Sequence, residues 1–215
     1  MTRVSVTQVG MVLLMCLIFL TALTLLGLSA SADTVLQNRL ASNLHDSAQA
    51  KQSALSGLAW AEQWLLDLDG PAPETCTEAC DGLNLHPPEK LPPHPEFESL
   101  AWWIDRGHEP GVDPISHIKT ATIGVGSINP PVWISEVVHS IPSKEGDSGQ
   151  LQVWYRILVR GSGQTETAVS VIESTVVRSW PPVGNTGSAK SDQSDICRSS
   201  ETETRCGRVS WRELR

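Results

Sequence analysis

A chain of 215 residues with a formal net charge of −8 offers nucleic acid no basic stripe, because its 16 Lys and Arg are scattered along its length. The first thirty positions are far more apolar than the rest, which excludes a simple globular chain and leaves one extra domain once that segment is set aside. Of the five cysteines, four form two local pairs in polar, loop-like sequence, Cys76 with Cys80 and Cys197 with Cys206, a pattern of an oxidising compartment. The fifth, Cys16, sits among apolar residues and reads as one of them.

No charged residue occurs from Val4 to Ala32, and nearly every side chain from Val9 to Leu28 is apolar, so the segment can cross a bilayer core of roughly 30 Å as a helix. A helix satisfies its own backbone in lipid. Arg3 precedes the run while Arg39 and Lys51 follow it, so basic residues alone set no orientation. An ordinary secretory signal peptide competes for the same residues, with Ala30-Ser31-Ala32 as its cleavage site before Asp33. Against it, the apolar run exceeds the roughly 7 to 15 residues of a signal core, and helical periodicity continues past Asp33.

Gly10 opens an apolar run that ends in Leu23-Thr24-Leu25-Leu26-Gly27, and this arrangement resembles the N terminus of PilX-type minor pilins. The resemblance implies a prepilin leader over 1–10, cut by prepilin peptidase between Gly10 and Met11, with methylation of the new amino terminus. Gln8-Val9 stand where such leaders usually carry Lys or Arg. Met15 occupies the fifth mature position, where major pilins have Glu; the missing acid implies a minor subunit. A carboxylate there would be costly in lipid without a partner.

After the apolar run, Leu36, Leu40, Leu44, Ala48, Ala54-Leu55, Leu58 and Leu65 recur at helical spacing, opposite Gln37, Arg39, Asp46, Lys51, Gln52 and Glu62. No proline interrupts the stretch before Gly70-Pro71, which is a stop signal. One continuous helix over Met11 to Asp69 would span roughly 90 Å at about 1.5 Å per residue, with a transmembrane half over 11–32 and an amphipathic half over 33–69. Leu40-Ala-Ser-Asn43, Asp46 and Ala61-Glu62 add to the PilX resemblance. A membrane helix followed by a separate core helix is the alternative.

Residues 70–131 read as a loop-rich insertion with short apolar islands, Leu100 to Ile104 and Ala121 to Val125. Trp60, Trp64, Trp102 and Trp103 read as core fillers. Within 132–180, three strands are predicted: Val132 to Ile141, Leu151 to Arg160 and Thr167 to Trp180. Leu151, Val153, Tyr155, Ile157 and Val159 alternate with polar residues as in a half-buried strand, and the short connections suit an antiparallel meander. Pro131 to Glu136, Tyr155 to Gly161 and Val171 to Thr175 are similar to the C-terminal strands of PilX-like proteins. The expected fold class is therefore α+β, a long N-terminal helix packed on a small antiparallel sheet. The tail, 181–215, is polar, with a disulfide loop expected from Cys197 to Cys206, a further bridge open between Cys76 and Cys80, and Trp211 as an anchor.

Catalytic motifs are missing from the sequence: no GxSxG, HExxH or phosphate loop occurs. Cys76, Cys80, His86 and His94 follow no zinc-site spacing, and the six histidines, spread singly, read as surface imidazoles. Asp67 and Asp69 fail the EF-hand pattern and read as helix-end residues. No cofactor or metal is expected, and no enzymatic activity. The resemblance implies a role in initiating or capping the type IV pilus, in the service of adhesion and twitching motility. It implies as partners other minor pilins, the major pilin, the inner-membrane assembly platform, prepilin peptidase and a large tip adhesin. The expected location is the bacterial inner membrane, single-pass, with the C-terminal domain in the periplasm. A minor pseudopilin of a type II secretion system shares this architecture, and a secreted binding module or hydrolase released after Ala32 is a third reading.

Overall fold

The computed structural model describes residues 11–76, 85–88, 90–123, 126–142, 151–181 and 207–215. The chain falls into two compact units, Met1–His45 and Asp46–Arg215. Helix α1, Met11–Asp67, carries residues of both and ends two residues short of the expected Asp69. In the first unit all described side chains are exposed.

In the second unit, α1 presents Ala50, Ala54, Leu58, Ala61 and Leu65 as one buried stripe at steps of three and four residues. Opposite lies a five-stranded sheet in the order β1 (Leu85–His86), β2 (Val132–Pro142), β3 (Leu151–Ser162), β4 (Val169–Trp180) and β5 (Gly207–Glu213). The three expected strands are present, and the expected antiparallel meander holds for β2, β3 and β4. Two strands were not anticipated. β1, from the insertion, pairs parallel with β2, which makes the sheet mixed. β5, from the tail, pairs antiparallel with β4, so the chain end is fastened by a backbone ladder and not by Trp211, which is 51% exposed.

The expected half-buried β3 is covered on both faces. Val153, Tyr155, Ile157 and Val159 join the α1 stripe in one apolar cluster with Trp133, Ile172, Val176 and Trp180. On the reverse face Leu158 packs with Ile134, Val132, Val171, Leu91 and Trp103. The insertion supplies that second cover. Its helix α2, Leu100–Arg106, is capped by Ser99, whose hydroxyl accepts from Trp102 N at 3.2 Å, and is closed at Gly107. Trp103 is fully buried, its indole N–H donating to Pro95 O at 3.2 Å. Trp60 and Trp64 pack on Trp133, ring centroids 6.1 and 5.7 Å apart, as the core-filler expectation has it.

Small residues on α1 let the sheet come close, and Gly161 in β3 marks the tightest point. A Cβ there would lie 2.4 Å from both Ala50 O and Ala54 N. Those are backbone atoms that no rotamer change can move. Gly161→Ala is therefore expected to destabilise the second unit by about 2 kcal/mol through overpacking. Chemical denaturation followed by tryptophan fluorescence measures it, since all eight tryptophans lie at or after Trp60.

Candidate functional site

The first candidate surface is the apolar part of α1. Every described side chain from Met11 to Leu28 is exposed, Leu13 by 74%, Phe19 by 66% and Leu26 by 67%. An 18-residue window of this helix has a mean hydropathy of 2.7, long and apolar enough to cross a membrane. Its few polar groups are satisfied locally: Thr21 Oγ1 donates to Ile18 O and Thr24 Oγ1 to Thr21 O, both at 2.8 Å. That lowers the cost of placing hydroxyls in an apolar medium. Met11 is the first residue of α1 and 59% exposed; Met15 is 49% exposed and Cys16 is a free, exposed thiol. Gly10 lies outside the described residues. Beyond Leu28, the stripe of Leu36, Leu40 and Leu44 is likewise exposed in its unit, by 59 to 67%.

The second candidate region is the set of polar ties that fix α1 to the sheet within the second unit. Asp46 accepts from the backbone N–H groups of Gln164 and Thr165 and from the Thr165 hydroxyl, holding the β3–β4 connection. Glu62, at the edge of burial, accepts from Ser174 Oγ at 2.6 Å and from Arg208 Nε at 2.8 Å, joining α1, β4 and β5. Arg178, 4% exposed, donates to Leu65 O and Leu68 O, carbonyls at and just beyond the C-terminal end of α1, while its guanidinium lies 3.7 Å from the Trp180 ring centroid. Burial lowers its pKa to about 10, which leaves it charged at neutral pH. Sequence reasoning placed Asp46 and Glu62 on the polar side of the helix and missed Arg178, since an arginine in a strand reads as a solvent-facing residue.

Of the six histidines, His45, His94, His117 and His139 are exposed as expected, and two depart from the surface reading. His86 and His108 are partly buried, with His108 packed on Trp133 at a centroid distance of 5.2 Å and its backbone paired with that residue. Desolvation first, then the neighbouring His117 and His86, pushes the His108 pKa down from 6.5 to about 4. His108 is thus neutral when folded, and protons bind the unfolded chain preferentially below about 6.5. Its contribution to stability is complete above that pH and is lost as pH falls toward 4. Between pH 7 and pH 5, where shifted carboxylates such as Glu173 have not yet protonated, the loss from His108 is roughly 2 kcal/mol. Denaturation of the His108→Gln variant at the two pH values is expected to show that much less pH dependence.

Cys76 is disulfide-bonded, so its sulfur is no thiolate ligand. Cys80, Cys197 and Cys206 lie outside the described residues, and with them the expected pairings. His94 pairs with Glu96 at 3.1 Å, and His86 Nε2 lies 3.4 Å from Arg106 O, so these two face different partners. Among the described residues no three His, Cys, Asp or Glu side chains converge in a way that could hold a metal. Asp67 accepts from Gln63 Nε2 at 2.7 Å at the end of α1.

The family model for the PilX N-terminal domain matches residues 10–59, starting on Gly10 and running through the apolar helix to Ala59. The chain carries a PilX N-terminal domain. The domain relates it to the minor pilins of the type IV pilus, and the PilX-type apolar helix is compatible with a membrane-anchored pilin. No curated protein and no solved structure matches the chain significantly.

Proposed function

We propose that the chain is a non-catalytic minor pilin that helps initiate or cap the type IV pilus by packing its α1 against the corresponding helices of other pilins. The observation that carries this reading is the uninterrupted exposed apolar surface from Met11 to Leu28, at the start of a PilX N-terminal domain. Lipid tails are as apolar as leucine, so such a helix leaves the bilayer only when neighbouring helices replace the lipid contacts. Repeating a head-to-tail contact that does not close yields a helical filament. Met15 brings no carboxylate to this surface, which suits a subunit used in few copies.

On this reading prepilin peptidase releases Met11 as the new amino terminus, the head lies in the periplasm, and the partners are other minor pilins, the major pilin, the assembly platform and a tip adhesin. Deleting the gene in its own bacterium is expected to reduce the number of surface pili. The full chain restores them; a version lacking 11–32 does not. Normal pili with failed type II secretion would instead assign the chain to a pseudopilus.

A further inference from the structure

A groove of about 520 Å³ opens on the face of the sheet opposite α1. The proline-rich segment of the insertion forms one wall, with Pro88, Pro92 and Pro93, and Val137 and Val138 of β2 form the other. Glu136 and Arg156, cross-strand partners on β2 and β3, line it between those walls.

The charges are unevenly matched. Arg156 is committed to Glu173, with Nε donating to Oε2 at 2.8 Å and NH2 at 2.7 Å from the same oxygen. Glu173 is served a second time by Arg212, at 3.1 Å. Glu136, only 6% exposed, receives one long contact, Arg156 NH1 to Oε2 at 3.4 Å. Its neighbour in the β1 ladder, His86, has Nε2 beside Arg106 O instead. Among the described residues Oε1 of Glu136 accepts no hydrogen bond, yet it is not sealed away from solvent with the buried unpartnered polar atoms. That oxygen reaches the groove and is engaged by no described residue, so a cation entering the groove meets a carboxylate acceptor for which no described group competes.

From this we infer that the groove is a docking site for a lysine side chain carried on an extended segment of a partner protein. A single free carboxylate oxygen suits a compact ammonium; the planar fork of arginine is matched by two oxygens, and Oε2 already faces Arg156. The aliphatic stem of lysine fits between proline and valine walls. A volume of about 520 Å³ exceeds what one ammonium and its stem require, and leaves room for the residues flanking the lysine. The inference rests on the geometry of the groove and stands apart from the pilus reading.

The test is isothermal titration of the full-length chain in detergent micelles at low salt with the peptide acetyl-Ala-Val-Lys-Val-Ala-amide. Its norleucine counterpart and 1,5-diaminopentane serve as comparisons. The lysine peptide is expected to bind at least tenfold more tightly than the norleucine peptide and the diamine, and to weaken at least tenfold in Glu136→Gln. Tryptophan fluorescence checks that this variant is folded; if it is not, the comparison of the peptides on the unaltered chain decides alone. Equal binding of the lysine and norleucine peptides, no binding of either, or a diamine that binds as well as the peptide would each overturn the inference.

Discussion

Replacing Leu20 and Leu23 together by arginine is expected to remove the chain from the membrane fraction and from any filament. Each Leu, Ile, Phe or Val in such a run favours insertion by about 0.3 to 0.6 kcal/mol, and each central arginine opposes it by about 2.5 to 3.5 kcal/mol. Two arginines therefore cancel the few kcal/mol that the run from Met11 to Leu28 supplies. Both positions are more than 60% exposed, so no described residue of the first unit shelters the new charges. The head should be untouched, because all eight tryptophans lie at or after Trp60 and its two apolar clusters lie wholly within the second unit. Membrane fractionation with quantitative mass spectrometry should show a loss of at least tenfold, with an unchanged tryptophan emission maximum. Retention of the double variant at the original level would mean that the apolar run is not the anchor.

The second large effect concerns Arg178. In Arg178→Ala the carbonyls of Leu65 and Leu68 lose their donor and the Trp180 ring loses the guanidinium that covers it. Leaving a buried carbonyl unsatisfied costs about 1 to 3 kcal/mol, and a side-chain-sized void beside Trp180 adds to that. Release of a buried charge offsets part of the loss. The net expectation is a destabilisation of about 4 kcal/mol, read as a fall of roughly 10 °C in the melting temperature of the second unit. Arg178→Lys should recover little, since a single ammonium cannot reproduce a fork that reaches two carbonyls. A variant melting within a degree or two of the parent would show that Arg178 does not hold the end of α1.

How much of this was open to sequence reading follows from the range of the interactions. The apolar run and the PilX-like pattern from Gly10 to Gly27 are local, and composition with spacing is enough to find them. The alternation from Leu151 to Val159 finds β3, but period two shows that one face is buried and leaves the other undetermined; Leu158 is buried as well. On α1 the large residues drew attention to Leu36, Leu40 and Leu44, which are exposed in their unit. The closest contact with the sheet is made by Ala54, which belongs to the expected stripe, and by Ala50, which does not and whose single methyl group carries little hydrophobic signal. β5 is hidden behind a Ser- and Thr-rich stretch, and its strand character depends on pairing with β4. The groove beside Glu136 is less legible still, because it exists only where a proline-rich segment of the insertion comes against a strand more than forty positions later.

Both the membrane anchor and the pilin role depend on where the mature chain begins, so the mass of its N-terminal peptide, taken from protein isolated from its own bacterial envelope, is the most direct test. A peptide that starts at Met11 and carries an N-methyl group is the expected result. A mature chain starting at Asp33, recovered in the soluble fraction, would contradict it.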